Sequence, residues 1–389
     1  MQFSKRMERF GSGIFSVLLE QKNEVLKKGG KIVDLSIGTP NIPPAPHIMQ
    51  ALIDSASNPK NYVYAIKDSD ALLQAVAAWY KRRYGVSIDP AHEVVSLLGS
   101  QDGLAHLALS IADAGDTVLV PDPCYPIFAD GPALAGARLV YMPLKEENDY
   151  LIDFDAIDPE DAKKAKLMVV SYPNNPTAAA APDWWYDKLV AFAKKYDIIV
   201  LHDNAYSELA FDGLHCGSFL AHEGAKEVGV EFNSLSKTYG LAGARIGFCI
   251  GNEKVVSMFS QLKSNLDYGM FLPVQAAAIA AITGDQACVE TTREAYRKRR
   301  DILCDGLTAI GWPVKRSAAT MFVWAKLPDG YTDSVAFSKL LLDKTGVLVT
   351  PGAAFGPSGE GHVRMALVQS DEEVLWAIDS IKKSGILNK

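Results

Sequence analysis

The feature that most constrains this chain is a series of seven short apolar segments, at 94–98, 117–120, 138–142, 167–171, 198–202, 230–233 and 246–250. Most are near-continuous in apolar residues rather than alternating. That is the pattern of strands covered by helices on both faces of a sheet. Between several of them lie helical stretches. Residues 71–84 and 182–196 space apolar side chains three and four apart, and Pro182 suits a first helical turn. The alternation predicts an α/β fold built on a mainly parallel sheet of seven strands, helices covering it.

After about residue 285 the texture changes. A charged helix over 291–307 precedes strand-like segments at 321–325 and 347–350, with a helix between them. A strand at 363–367 and a helix at 371–383 close the chain. At 389 residues the chain exceeds one simple core. The expected division is a large domain over 46–285 and a smaller α+β domain made of 1–45 and 286–389. The basic cluster from Arg297 to Arg300 is expected to be a solvated helix face.

Composition excludes several classes of function. A net charge of −7 gives no general attraction to nucleic acid or to an anionic membrane surface. No uncharged run is long enough to span a bilayer, and the first ten residues lack the apolar stretch of a signal peptide. Cys124, Cys216, Cys249, Cys288 and Cys304 are odd in number, far apart and without CxxC spacing. This argues against a disulfide framework or a zinc site, and predicts reduced thiols in a cytoplasmic protein that holds no metal.

The chemistry begins at Ser234-Leu235-Ser236-Lys237-Thr238-Tyr239, a polar loop after a predicted strand. Eight residues past the lysine comes Arg245, within Gly240-Leu241-Ala242-Gly243-Ala244-Arg245. Two hydroxyls, a fixed cation and flexible glycine backbone suit a phosphate dianion. The lysine amine beside them can form a Schiff base with an aldehyde. Asp203 ends the strand at 198–202, the edge where open α/β sheets bind ligands. It reads either as a helix N-cap or as the anion that keeps a pyridine nitrogen protonated in a pyridoxal 5′-phosphate (PLP) enzyme. Tyr206, three residues on, and the Asn175 amide in Tyr172-Pro173-Asn174-Asn175-Pro176-Thr177 could both reach a ring oxygen. Gly99-Ser100-Gln101-Asp102-Gly103 joins a strand to a helix, a context that favours phosphate. Tyr125 follows another strand, placed either to stack on a flat ring or to fill the core.

In order and character these motifs resemble the class I/II aminotransferases of PLP fold type I. The resemblance runs from Asp34-Leu35-Ser36-Ile37-Gly38 to Val363-Arg364-Met365-Ala366. It implies that Lys237 carries PLP and then serves as general base, and that Asp203 pairs with the ring nitrogen. Asn175 and Tyr206 would bond the ring oxygen, with Tyr125 stacked on the ring. Ser100, Gln101, Ser234, Ser236 and Arg245 would hold the phosphate. Arg364 would clamp the substrate α-carboxylate, helped by Asn175 and the Gly38 backbone. Tyr64 resembles a tyrosine that reaches the neighbouring subunit's phosphate, which implies a homodimer with shared sites.

Two positions depart from the family pattern: Ala178, where glycine is usual, and Ala244, where an aromatic often precedes the arginine. The segments 120–128, 193–213, 229–247 and 262–269 look most like the LL-diaminopimelate aminotransferases. That likeness implies amino transfer between LL-2,6-diaminopimelate and 2-oxoglutarate. Aminotransferases for alanine, aspartate, aromatic amino acids or methionine share much of the motif set. So does a C–S β-lyase on the same fold. A PLP-binding regulator would need an added DNA-binding module, for which the chain has no spare length.

Overall fold

The computed structural model describes residues 1–4, 7, 8, 10, 14–27 and 29–387, with 14 and 15 described by backbone alone. The seven expected strands form one sheet. Its order is Val94–Leu97, Gly247–Gly251, Gly229–Ser234, Ile199–Asp203, Ala165–Ser171, Thr117–Asp122 and Arg138–Pro143. Every neighbouring pair is parallel except those made by Gly247–Gly251, which runs antiparallel to both its neighbours.

Strand alternation divides the apolar side chains between two faces. Met168, Val170 and Val200 join one buried cluster, with Leu189 of helix Asp183–Tyr196. Leu167, Val169 and Leu201 join another, with Leu104 and Phe259. This double coverage explains why the strands read as continuous apolar runs. The chain winds outward from Thr117–Asp122 to Arg138–Pro143, then returns to place Ala165–Ser171 on the other side of the first strand. Such a reversal leaves a crevice at the carboxyl ends of the strands.

The later part of the chain builds a three-stranded antiparallel sheet, ordered Thr350–Pro351, His362–Ala366, Phe322–Lys326. Helices Ala287–Ala309, Ser334–Thr345 and Asp371–Ser384 accompany it. A third apolar cluster fills this region, including Leu303, Phe337, Val363 and Ile378.

Three local expectations change. The segment 347–350 is not one strand: Val347–Leu348 pairs parallel with Val33–Asp34, while Thr350–Pro351 pairs with Val363 and Arg364. Its two halves find different partners, which local apolarity does not encode. Pro182 is the residue before helix Asp183–Tyr196, at its N-cap. The basic cluster is only partly a solvated face. Lys298 is exposed, but Arg300 falls one helical turn beyond buried Tyr296 and is itself fully buried. Its charge is met by Asp212, Asp301 and the Ser317 carbonyl. The five cysteines are unpaired. Among the described residues, no helix is long and apolar enough to cross a membrane.

Candidate active site

Five strand ends and the turns after them converge on one crevice. Ser234 ends its strand and caps the short helix Leu235–Thr238, its Oγ accepting from the Ser236 N–H at 3.2 Å. That turn aims Lys237 across the crevice, where its Nζ donates to the Gly38 carbonyl at 2.8 Å. Asp203 ends the adjacent strand. After Ala165–Ser171, the Asn174 side chain accepts from the N–H and Oγ of Thr177 and donates to the Ser171 carbonyl, folding a tight turn. That turn presents Asn175, whose peptide bond to Pro176 is cis.

Arg364 arrives from the three-stranded sheet and is buried. Its Nη1 donates to Asn175 Oδ1 at 2.9 Å and its Nη2 to the Ser36 carbonyl at 2.7 Å, while its Nε has no partner. The guanidinium lies over the rings of Phe322 at 4.1 Å and Phe355 at 4.7 Å. On the opposite wall, Gly99 stands at φ 80 before helix Ser100–His106. A Cβ there would sit 2.3 Å from Arg245 Nη2, so glycine lets the guanidinium close in. The Tyr125 hydroxyl donates to Gln101 Oε1 at 3.0 Å.

The result is a cavity of about 300 Å³ lined by Gly38, Ser100, Gln101, Tyr125, Asn175, Asp203, Tyr206, Ser234, Ser236, Lys237, Arg245 and Arg364. Tyr64 does not line it. It is 83% exposed and packs edge-on against Tyr268 at 6.1 Å. Donors for the far end of a longer substrate are expected around Phe15, Lys67 and Asn265; the Phe15 side chain lies outside what is described, and Lys67 and Asn265 are exposed and outside the lining. Sequence reasoning missed Phe322, which lines the cavity and supports both Arg364 and Tyr206. It lay within a predicted strand, and no local signal marked its direction.

The electrostatics are those of a pocket in which the Asp203 and Arg364 side chains are buried. Burial raises the Asp203 carboxyl to about 7, against the pull of His202. Its Oδ1 has no hydrogen-bond partner. Burial lowers the Lys237 amine to about 8, and the positive charges of Arg364 and Arg245 add to that fall. Burial likewise lowers Arg364 to about 10 and pushes the Tyr206 hydroxyl upward.

The family pattern for aminotransferases of class I and II matches residues 30–381. The chain belongs to the class I and II aminotransferases. It is 43% identical to the LL-diaminopimelate aminotransferase of Moorella thermoacetica, over 98% of each chain. It is 42% identical to the glutamate-pyruvate aminotransferase AlaC of Escherichia coli, over 97% of this chain and 92% of that one. Among solved structures, substrate-bound BacF from Bacillus subtilis superposes with a TM-score of 0.95 at 39% identity, covering 98% of both chains.

Within this aminotransferase, Ala178 is buried at φ 60, in the left-handed region. Glycine would adopt that backbone without steric cost, and alanine holds it at a cost of about 1 kcal/mol. Ala244 ends the turn Ala242–Ala244 and is not part of the lining, whereas Ala242 is.

Proposed function

We propose that this transaminase binds PLP in the cavity and transfers an amino group from LL-2,6-diaminopimelate to 2-oxoglutarate, giving tetrahydrodipicolinate and glutamate. The observation that carries the PLP reading is the buried Asp203 oxygen without a partner, sharing one cavity with Lys237, Ser234, Ser236 and Arg245. A buried carboxylate needs a cationic or N–H partner, and a protonated pyridine nitrogen is both. Two serine hydroxyls and a guanidinium fit a phosphate dianion. When bound, PLP supplies an electron sink for the pair left as the substrate α-proton departs.

The chain's residues do the rest. Lys237 Nζ would hold the cofactor through its aldehyde carbon and would take up and return the proton at the substrate α-carbon. An amine lowered to about 8 has a usable neutral fraction near physiological pH. Asp203 orients and holds the ring through its nitrogen, and Tyr125 covers the ring face. Arg364 already occupies Asn175 Oδ1, which leaves the Asn175 Nδ2 to donate to the ring oxygen beside the Tyr206 hydroxyl. Ser100, Gln101, Ser234, Ser236 and Arg245 take the phosphate. Arg364 takes the α-carboxylate, with Asn175 and the Gly38 backbone beside it, and burial strengthens that pairing by excluding water.

The donor rests on the 43% identity, over 98% of each chain, to the LL-diaminopimelate enzyme of Moorella thermoacetica. The polar lining groups are committed to the cofactor and the α-carboxylate. What remains of the lining is Ile37, Leu104, Ala205, Ala242 and Phe322, with only backbone to offer a polar partner. The second amino-carboxylate must therefore be met from outside this cavity. The same reading supplies that outside: a cytoplasmic homodimer in which Tyr64 reaches the partner's phosphate. Tyr62, Tyr64 and Ile66, each more than 60% exposed, provide a face for it.

A second reading, glutamate–pyruvate transfer, is favoured by the apolar remainder of the lining and by the 42% identity to AlaC. The deciding measurement is kcat/KM for LL-diaminopimelate, its meso isomer, alanine, aspartate, methionine and phenylalanine, each with 2-oxoglutarate. A site that pairs the distal group rejects donors lacking it. The LL isomer should lead clearly. Alanine ahead of it would establish the second reading instead.

A further inference from the structure

Behind Asp203 lies a buried polar cluster that the transfer chemistry does not touch. Strand alternation turns His202, the preceding residue, to the opposite face of the sheet. His202 and Glu231 are both fully buried and stand directly opposite each other on neighbouring parallel strands. His202 Nδ1 lies 3.0 Å from Glu231 Oε2, and Nε2 lies 3.1 Å from the Tyr172 carbonyl oxygen.

Both of those oxygens are acceptors. A carbonyl can do nothing else, and the Glu231 carboxylate is surrounded by donors. Its Oε1 accepts from the hydroxyls of Tyr80 at 2.8 Å and Ser218 at 2.9 Å, and its Oε2 from the Phe219 N–H at 2.9 Å. The Tyr80 hydroxyl itself accepts from Asn233 Nδ2 at 3.3 Å, so its proton is committed to Glu231. The Tyr186 hydroxyl stands 3.5 Å from His202 Nε2, a longer contact than the carbonyl, and is itself aimed at that carbonyl at 3.4 Å. Hydrogen-bond valence makes both ring nitrogens donors, and the ring an imidazolium.

Such a pair is a poor stability device, since an apolar replacement of similar volume is often neutral or stabilising. What it does provide is a fixed positive charge one residue from Asp203. On the cavity side, Asp203 shares the lining with Lys237, Tyr125 and Tyr206. His202 and Glu231 stand on the opposite face of the sheet, one position along their strands. Against the dominant effect of burial, His202 is the strongest influence holding the carboxyl down, and Glu231 acts in the other direction.

We propose that His202, held as an imidazolium between Glu231 and the Tyr172 carbonyl, is a positioning residue that keeps Asp203 ionised toward the cofactor's ring nitrogen. This rests on the reading of Asp203 given above. The cluster continues through Asn233, whose Oδ1 accepts from the Ser234 N–H at 2.8 Å. One network thus underlies both the ring end and the phosphate end of the cavity.

Two substitutions with opposite expected signs test the proposal. His202→Gln keeps a donor and loses the positive charge, whereas Glu231→Gln keeps the volume and loses the negative one. In the full-length chain without cofactor, carboxyl ¹³C NMR follows the Asp203 titration. The midpoint should rise by about one pH unit in His202→Gln, and it should fall in Glu231→Gln where the ¹⁵N shifts of that variant show the His202 ring still doubly protonated. A one-unit rise from about 7 takes the ionised share at pH 7 from about half to about a tenth. The affinity for PLP, read by fluorescence titration, then drops about fivefold at pH 7, and the deficit largely closes by about pH 9.

A merely structural role would harm both variants in the same direction. A midpoint that does not rise in His202→Gln, or that rises in Glu231→Gln while His202 stays doubly protonated, overturns the proposal. A wild-type measurement guards against a variant that fails to fold. The ¹⁵N shifts of His202 should report two protonated nitrogens at pH 7, and a neutral ring overturns the proposal. Asp203→Ala separates the two levels. If it leaves PLP affinity unchanged, the site reading falls and this inference with it. If Asp203 is required but its midpoint does not respond to His202, this inference alone fails.

Discussion

Gly99→Ala is the most direct test of how the proposed phosphate end is built. Gly99 sits at φ 80 and ψ 153, a region that residues with a Cβ avoid. Holding alanine there costs about 1–3 kcal/mol, which should lower the melting temperature by roughly a few degrees. The new methyl would also stand 2.3 Å from Arg245 Nη2 and 2.7 Å from its Cζ. The Arg245 backbone is itself left-handed at φ 57, and its Nη1 is tied to the Ala242 carbonyl at 3.0 Å. The guanidinium must swing away from the cavity. A hydrogen bond between charged partners contributes about 1.5–3 kcal/mol, so PLP affinity should fall about 10- to 150-fold. The assay is PLP titration of the full-length chain, with thermal unfolding in parallel. Arg245→Ala should lose similar affinity without the backbone penalty, and the double variant should bind PLP no worse than Arg245→Ala alone. Wild-type PLP affinity in Gly99→Ala, or losses that simply add in the double variant, would refute the argument.

Three further outcomes are expected. The folded-state value of Lys237 is about 8 against 10.5 unfolded, so burying the charged amine weakens the cofactor-free chain below about pH 8 and the penalty fades as pH rises toward 10.5. Lys237→Met should therefore raise the melting temperature most at pH 7 and little near pH 11, while abolishing turnover; unchanged turnover would sink the assignment of Lys237. Arg364→Ala should lower kcat/KM for amino acids about 10- to 100-fold through KM with PLP retained, and release of PLP with substrate affinity intact would mean that the two arginines are reversed. Lys237→Ala and Tyr64→Phe, each inactive, should recover activity when mixed and allowed to exchange subunits, because one site of the hybrid dimer carries neither defect. No recovery after proven exchange would count against a shared site.

By itself the sequence determined the strands and what stands at their ends. Apolar runs near 200 and 230 predict strands because burial on both faces demands them. Asp203, Asn175 and Ser234 lie at or just after strand ends, so a local signal placed them on one edge of a sheet. The lysine, serines and arginine stood out as candidates because residue type and short spacing suit one chemistry, and the family resemblance gave them their expected roles. Only the tertiary structure decided which of them meet. Lys237 reaches the carbonyl of Gly38, 199 residues away, and Arg364 joins Asn175 to Ser36 across 189 and 328 residues. Phe322 beneath Arg364, the burial of Arg300 and the pairing of His202 with Glu231 were likewise invisible. Helix and strand periodicity is written over a few neighbouring residues, where backbone geometry repeats. Contacts between distant segments depend on strand order and on how whole faces pack, and no short window of sequence contains both partners.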